Sequence, residues 1–225
     1  MKKIKAIFVD GDDTIKNFTL EDELILYEIQ KDMKCTEGPR KVLVKLIEKV
    51  ALYIRSFGLL KANMRTLDLR LAVHAIVLNK SIKKYKQLYY EYMKKIEIPF
   101  SNTINVINNL KSNGYEIFFV SNNLKSKSFA QNIGFKDSNI CITKKKSNKY
   151  NSIATIMKEK NYRPDEVVMV GDSLSEDIYP ANKLGVTTIW VNVNGRLKES
   201  FTKIIKPNYV IYDIIQILEI LELLN

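Results

Sequence analysis

Two patterns of hydrophobic and polar positions divide the chain. Residues 16–96 carry apolar side chains at helical spacing in four successive stretches, and the second stretch holds Leu43, Leu46, Ile47, Val50 and Ile54. From about residue 97 onward, short apolar runs alternate with amphipathic stretches. The first pattern predicts a bundle of four helices. The second predicts strands joined by helices, which is typical of a parallel sheet with right-handed crossovers.

The strand predictions rest on six short runs rich in apolar and β-branched residues. These runs cover residues 7–9, 117–120, 140–143, 167–170, 186–192 and 209–211. Such runs favour strands that are covered on both faces. The sequence therefore predicts an α/β protein whose sheet domain comprises residues 1–15 and 97–225, interrupted by a helical domain at 16–96.

Polar side chains follow three of the predicted strands directly. They are Asp10 and Asp12 after the first run, Ser121 and Asn122 after the second, and Asp172 after the run at 167–170. The carboxyl ends of parallel strands lie at one edge of the sheet, where ligands bind. Carboxylates held close together repel and raise one another's pKa, so such a cluster needs a compensating cation or hydrogen bonds. The arrangement indicates a functional site rather than an acidic loop that only caps a helix.

A divalent cation would compensate this cluster. Mg²⁺ prefers one or two carboxylates together with water and phosphate oxygens, so we expect Asp10 and Asp172 to share this ion. The lysine-rich segment "TKKKSNK" lies between the strands at 117–120 and 167–170 and would supply positive charge for a phosphate group. The sequence thus predicts a magnesium site next to a phosphate site.

Composition narrows the class of protein further. The 225 residues are 46% hydrophobic, which is enough for a sizeable core. Two cysteines, Cys35 and Cys141, form no disulfide framework, and a single histidine, His74, leaves too few ligands for a zinc site. No apolar run has the length of a signal peptide or a membrane span. A cytoplasmic protein without a membrane partner is expected.

The net charge of +11 is distributed unevenly. Residues 16–96 hold 17 Lys and Arg against 9 Asp and Glu, so this segment carries +8 of the total. The excess indicates either an anionic partner or a lysine-rich composition without functional meaning. The segment "KSIKKYKQLYYEYMKK" has the basic and aromatic character of a nucleic-acid-binding module, but its lysines fall on the solvent side of a helical stripe. We keep nucleic-acid binding as an alternative and expect no nucleic-acid partner.

Four short motifs together resemble a known family. "DGDDT", "SN", a lysine before a helix and "GDSLSED", in this order, resemble the four motifs of the haloacid dehalogenase superfamily. The helical insert after the first motif resembles that family's cap domain. The resemblance spans essentially the whole chain. It implies a Rossmann-like core with an inserted four-helix cap, and magnesium-dependent phosphoryl transfer through an aspartyl phosphate.

The first motif, by this resemblance, holds the reacting carboxylates. Asp10 matches the nucleophile that attacks phosphorus and also binds magnesium. Asp12 matches the general acid and base, and its backbone carbonyl is implied to contact the metal. Thr14 belongs to the same motif and is assigned a supporting role. Gly11 departs from the family, where a larger apolar residue is more common; it either widens the pocket or allows the turn.

The remaining motifs supply phosphate and metal ligands. Ser121 matches the phosphate-binding hydroxyl, with Asn122 beside it. Asp172 matches the metal ligand of the fourth motif, and Asp177 resembles the second acid of that motif, either linked to the metal or supporting its ligands.

The lysine of the third motif is less well defined. The family usually shows a lysine followed by proline, and "KKKSNKYNS" lacks the proline. Lys146 is the best match to the pattern, with Lys145 and Lys149 as alternatives.

The resulting functional prediction is a phosphatase for a small phosphorylated metabolite. The resemblance implies a range of substrates for such caps: phosphoglycolate, sugar phosphates, triose phosphates and nucleotides. A phosphomutase of the same superfamily shares all four motifs and stays an alternative. Dehalogenation is disfavoured, because the dehalogenases of the superfamily need neither an acid at the position of Asp12 nor magnesium.

Overall fold

The computed structural model describes residues 3–35, 38–56, 64–123, 126–143, 149–193 and 205–225. The chain divides into two compact units. One comprises Met1–Asn17 with Pro99–Asn225, and the other is Phe18–Ile98. The predicted boundaries, after residues 15 and 96, lie two residues before the observed ones at both junctions. The second unit is therefore an insertion directly after the first motif.

A parallel sheet forms the centre of the first unit. Within the described residues its six strands are β1 (Ala6–Val9), β2 (Glu116–Ser121), β3 (Ile140–Ile142), β4 (Val167–Gly171), β5 (Thr187–Val191) and β6 (Tyr209–Ile211). Their order is β3-β2-β1-β4-β5-β6, and every neighbouring pair is parallel. The predicted α/β class with a parallel sheet is confirmed.

Helices accompany the sheet in alternation with its strands. They are α5 (Thr103–Ser112), α6 (Ser126–Asn132), α7 (Lys149–Glu159), α8 (Tyr179–Lys183) and α9 (Ile217–Leu224). Strand β1 shows that both faces of the sheet are covered, since Ile7 and Val9 belong to one hydrophobic cluster while Ala6 and Phe8 belong to another. Successive side chains of a strand point to opposite faces. Burial on both faces explains the continuous apolar runs in the sequence.

The order of the strands reverses direction beside β1. From β1 the chain adds β2 and β3 on one side and then returns to add β4, β5 and β6 on the other. Such a reversal of direction opens a crevice at the carboxyl ends of the strands. The ends of β1, β2 and β4, which carry the predicted site residues, are therefore neighbours.

The second unit is helical, as its periodicity predicts. Its described part contains α1 (Phe18–Asp32), α2 (Pro39–Ser56), α3 (Met64–Val77) and α4 (Ile82–Tyr92). Its core includes Ile25, Leu71 and the aromatic residues Tyr85 and Tyr89. His74 is also buried, with its ring edge-on to Tyr85 and the ring centroids 6.2 Å apart. His74 is therefore a residue of this helical core.

The apolar stripe predicted on α2 is wrong in its orientation. Leu43, Leu46 and Val50 are 47%, 56% and 49% exposed, whereas Val44 is buried. This helix carries apolar residues on more than one face, so spacing alone did not identify the face that packs. None of the described helices is long and apolar enough to cross a membrane.

Candidate active site

Backbone hydrogen bonds fix the carboxyl ends of β1 and β4 side by side. The backbone N–H of Asp10 donates to the carbonyl of Val170 at 2.9 Å, which extends the β1–β4 pairing beyond Val9. The indole Nε1 of Trp190, fully buried on β5, donates to the carbonyl of Asp172 at 2.9 Å. Two of the predicted metal ligands, Asp10 and Asp172, thus follow directly from hydrogen-bonded strands.

Asp10, Asp172 and Asp177 form an acidic cluster at this edge. Each offers a carboxylate oxygen, and these oxygens lie within 4.8 Å of one another. Burial raises the pKa of Asp10 to about 7, with Lys149 opposing the shift and Asp177 adding to it. Burial and the carboxylates of Asp10 and Asp177 also raise the pKa of Asp172 well above its usual range. A cluster of hard oxygen ligands that is costly to ionise fits a divalent cation such as Mg²⁺.

A buried lysine joins two of these acids. Lys149, the first residue of α7, is 3% exposed, and its Nζ donates to Oδ1 of Asp10 and Oδ1 of Asp177. Burial alone would lower the pKa of this amine, but the two carboxylates reverse the effect and raise it. Lys145 and Lys146 lie outside the described residues. Among the described lysines, the one that reaches Asp10 is Lys149, which was an alternative in the sequence and not the first choice.

A π-helical turn directs Asp177 back toward β4. Residues Leu174–Ile178 form this turn, in which the N–H of Ile178 donates to the carbonyl of Ser173 at 3.2 Å. The second oxygen of Asp177, Oδ2, accepts from the N–H of Ser173 at 2.9 Å. Both carboxylate oxygens are thus engaged by the protein. Asp177 thus anchors Lys149 next to the end of β4.

Gly171 provides the space that Asp177 occupies. A Cβ atom on Gly171 would lie 2.4 Å from Cγ of Asp177, a distance that real Cβ atoms do not tolerate. The glycine at the end of β4 is therefore required by close packing against a carboxylate.

The carboxylate of Asp12 lies in a separate, partly open environment. Its side chain is 27% exposed and contacts three donors: Nδ2 of Asn123 at 2.8 Å, Oγ of Ser126 at 3.4 Å and Nζ of Lys16 at 3.8 Å. Burial raises the pKa of Asp12, while Lys16 and Asn123 oppose that shift. Sequence reasoning missed these three partners, since none belongs to a recognised motif.

The predicted phosphate ligands occupy the end of β2. Ser121 is buried, and its Oγ accepts from the N–H of Asn123 at 3.1 Å. Asn122 is exposed, and its side chain accepts from the hydroxyl of Thr143 and donates to Oε2 of Glu176 at 2.9 Å. The structure therefore holds the Asn122 amide through neighbouring side chains, an arrangement that the motif did not indicate.

The unusual residue of the first motif, Gly11, is explained by packing. Its φ lies outside the left-handed region, so the turn does not demand glycine. A Cβ atom here would lie 2.7 Å from Cζ of Phe119 and 3.7 Å from Oγ of Ser121. The ring of Phe119 fills the space that a larger side chain at position 11 would need. Close by, Oγ1 of Thr14 donates to Oδ2 of Asp10 at 3.4 Å.

Comparison with known proteins identifies the family. The model of the haloacid dehalogenase-like hydrolases matches residues 60–191, more than half of the chain. The chain belongs to the haloacid dehalogenase-like hydrolase family. The resemblance inferred from the four motifs, and with it the prediction of a hydrolase, is confirmed.

Two curated relatives carry the same name, glyceraldehyde 3-phosphate phosphatase. The protein from Methanothermobacter thermautotrophicus is 26% identical over 246 aligned positions that cover 97% of this chain and all of that protein. The protein from Pyrococcus furiosus is 36% identical over 66 residues, which cover 29% of this chain and 28% of that protein.

A solved structure shares the fold along the whole chain. The HAD-hydrolase YfnB from Bacillus subtilis, a structure described as bound to magnesium, superposes with a TM-score of 0.73 at 18% identity. The alignment covers 98% of this chain and 100% of that one. At this identity the similarity establishes the fold.

Proposed function

We propose that this chain is a magnesium-dependent phosphatase that hydrolyses a small phosphate monoester through an aspartyl phosphate on Asp10. The observation that supports it most is the contact between Lys149 and Asp10 beside the carboxylate of Asp172. This arrangement offers a nucleophilic carboxylate, a cation for phosphate oxygens and a metal-binding pair at one edge of the sheet. When bound by Asp10 and Asp172, a magnesium ion would supply further positive charge to the phosphate.

The first half of the proposed reaction transfers the phosphoryl group to Asp10. The carboxylate of Asp10 forms a bond to phosphorus while the bond from phosphorus to the alcohol oxygen breaks. Asp12 donates its proton to that oxygen, and burial, which raises the pKa of Asp12, favours the required protonated form. Lys149 and Ser121 would hold the phosphate oxygens in place.

The second half returns the enzyme to its starting state. Asp12, now ionised, takes a proton from a water molecule, and the water oxygen attacks phosphorus of the aspartyl phosphate. The bond from phosphorus to the Asp10 oxygen breaks, inorganic phosphate leaves and Asp12 carries the proton again. Asp177 keeps Lys149 in position throughout.

The proposed substrate is a small phosphorylated metabolite of triose size. The full-length curated relative is named as a glyceraldehyde 3-phosphate phosphatase, so glyceraldehyde 3-phosphate is the first compound to test. Because the two proteins are 26% identical, the name of the relative guides the choice of the first substrate to assay.

The test measures release of inorganic phosphate from a panel of phosphorylated metabolites that includes glyceraldehyde 3-phosphate. We expect turnover with magnesium, loss of turnover with a chelator, and recovery when magnesium is added back. Asp10→Asn should reduce turnover by several orders of magnitude, because the amide lacks the attacking charge. Asp172→Ala should raise the magnesium concentration needed.

Asp13→Asn is the matched control for these variants. Asp13 lies in the same loop with a positive φ of 56° that asparagine accommodates, and it has no assigned role. It should stay within about tenfold of wild type, a loss smaller than general acid–base catalysis contributes. Wild-type activity of Asp10→Asn, or full activity with chelator, would contradict the proposal. Isomerisation of a sugar phosphate without phosphate release would favour a mutase instead.

A further inference from the structure

The structure contains a buried lysine that the proposed reaction does not use. Lys16 is 3% exposed, and its Nζ lies 3.8 Å from Oδ1 of Asp12. The same Nζ lies 5.6 Å from the ring centroid of Phe129 on α6. A charged amine that is withdrawn from water is costly unless it is paired. Lys16 is therefore fixed between a carboxylate and an aromatic face.

The backbone around Lys16 sets this position. Its N–H donates to the carbonyl of Gly11 at 3.0 Å, and its carbonyl accepts from the N–H of Asp13 at 2.7 Å. The loop thereby folds back on itself, so that residue 16 returns to the level of residue 12. The ammonium approaches Asp12 from within the same loop.

Asn123 contacts the other oxygen of the same carboxylate. Its Nδ2 lies 2.8 Å from Oδ2 of Asp12, while Lys16 and Ser126 contact Oδ1. Donors on both oxygens restrict rotation of the carboxyl group about its terminal bond. A proton donor works only when its oxygen lies within hydrogen-bond reach of the leaving oxygen, and small misplacements are costly.

We infer that Lys16 and Asn123 are positioning residues that orient the Asp12 carboxyl group for proton transfer to the leaving alcohol. The inference rests on the proposed phosphatase function. It predicts that loss of either residue acts through Asp12 and so depends on how much the leaving group needs a proton. An alkoxide leaving group needs the proton, whereas p-nitrophenolate leaves without one.

The experiment compares kcat/KM for glyceraldehyde 3-phosphate and p-nitrophenyl phosphate with magnesium. This parameter covers the steps up to release of the alcohol, so the later role of Asp12 as a base does not enter it. Lys16→Met keeps the length of the side chain and removes its charge. We expect the loss for the alkyl ester to exceed the loss for the aryl ester by about tenfold or more, a fraction of the 10²–10⁴ that general acid catalysis supplies.

Asn123→Ala is the second variant and keeps the test decisive if Lys16→Met does not fold. Asn123 is only half-buried, and its backbone N–H retains its bond to Ser121. It should change the ratio of the two kcat/KM values in the same direction. Lys111→Met is the matched control, since Lys111 also lies over an aromatic ring, at 5.2 Å from the centroid of Phe135, but donates to the carbonyl of Gly134. It should leave the ratio unchanged.

The outcomes separate the inference from the proposed function. If the wild type is active but its variants lose kcat/KM equally for both substrates, or for neither, the positioning role is overturned. The proposed phosphatase function then still stands. A wild type that releases phosphate from no ester of the panel and not from p-nitrophenyl phosphate would overturn the phosphatase and the positioning role together. If the wild type prefers another alkyl phosphate of the panel, that ester replaces glyceraldehyde 3-phosphate in the comparison.

Discussion

At the site, the position of one side chain depends on the space that a neighbouring residue leaves for it. The carboxylate of Asp177 lies against the backbone of Gly171, where a Cβ atom would come within 2.4 Å of its Cγ. Asp177 in turn holds Lys149, and Lys149 reaches Asp10. The glycine at the end of β4 thus acts on the proposed nucleophile through two side chains.

Gly171→Ala tests this chain of contacts. The added methyl group must displace Asp177, so Lys149 loses an anchor. We expect kcat to fall about 10²-fold, as for other small displacements of reacting groups. Overpacking should also lower the free energy of unfolding by about 1–3 kcal/mol. Phosphate release and urea unfolding measure the two effects.

A double-mutant cycle with Asp177→Ala identifies the cause. With the carboxylate removed, the extra methyl group has room, so Gly171→Ala should cost little additional stability in that background. An equal cost in both backgrounds would show that the clash with Asp177 is not the reason.

At the residue scale, sequence was informative where a motif lies at the end of a strand. Asp10 and Asp172 could be named because apolar runs end directly before them, and the structure brings the two together. Lys149 was not the first choice, because the segment before α7 offers several lysines and lacks the usual proline. Asn123 contacts Asp12 across 111 residues of sequence, and Lys16, four residues from Asp12, reaches it because the loop folds back, so the motifs indicated neither contact.

Among the elements, helix α4 illustrates how burial decides how much a hydrogen bond contributes to stability. Tyr89, fully buried, donates its hydroxyl to Asp22 on α1, and Asp22 also accepts from Arg70 on α3 at 2.6 Å. Tyr92 on the same helix donates to Asp32 at 2.6 Å in a solvent-exposed bond. Burial, together with Asp22, raises the pKa of Tyr89, so this hydroxyl keeps its proton.

Tyr89→Phe and Tyr92→Phe form a matched pair on this helix. Removal of the buried hydroxyl leaves Asp22 short of one donor, which should cost about 1–3 kcal/mol of unfolding free energy. Removal of the exposed hydroxyl lets water replace it, so little change is expected. Urea unfolding followed by far-UV circular dichroism measures both. Equal effects would mean that burial does not decide how much these two hydrogen bonds between α1 and α4 contribute to stability.

The elements themselves were more predictable than their orientation. The strands lie where the apolar runs predicted them, because strands buried on both faces leave a continuous signal. The sequence placed helix α2 correctly along the chain but did not predict which face packs, since its apolar residues occupy several faces. Among those whose burial is described, Val44 is buried while Leu43, Leu46 and Val50 are exposed. Periodicity therefore gives the type of element reliably, while tertiary packing selects the face.

At the scale of the whole molecule, the insertion interrupts the first unit at one place. The N–H of Phe100 donates to the carbonyl of Ile15 at 3.2 Å, and Oγ1 of Thr103 donates to the same carbonyl at 2.8 Å. Lys16 and Pro99 form an antiparallel bridge. The segments that enter and leave Phe18–Ile98 are thus paired within the first unit.

This pairing predicts that the first unit folds without the insertion. Its two segments have about 144 residues and hydrophobic clusters on both faces of the sheet, a size typical of an independent domain. Because the two ends already lie together, a short Gly-Ser linker in place of residues 18–98 costs little loop-closure entropy. The shortened protein should unfold cooperatively in urea.

Activity of the shortened protein tests whether the insertion, which resembles the family's cap domain, selects the substrate. Asp10, Asp12, Lys149 and Asp172 all lie in the retained unit, so magnesium-dependent hydrolysis of p-nitrophenyl phosphate should persist. Discrimination should be lost: kcat/KM for glyceraldehyde 3-phosphate should fall about 10²-fold, the order that substrate-positioning contacts contribute. The shortened protein with Asp10→Asn is the control for residual chemistry. A folded core that keeps the substrate preference of the full chain would show that specificity resides in the sheet domain and not in Phe18–Ile98.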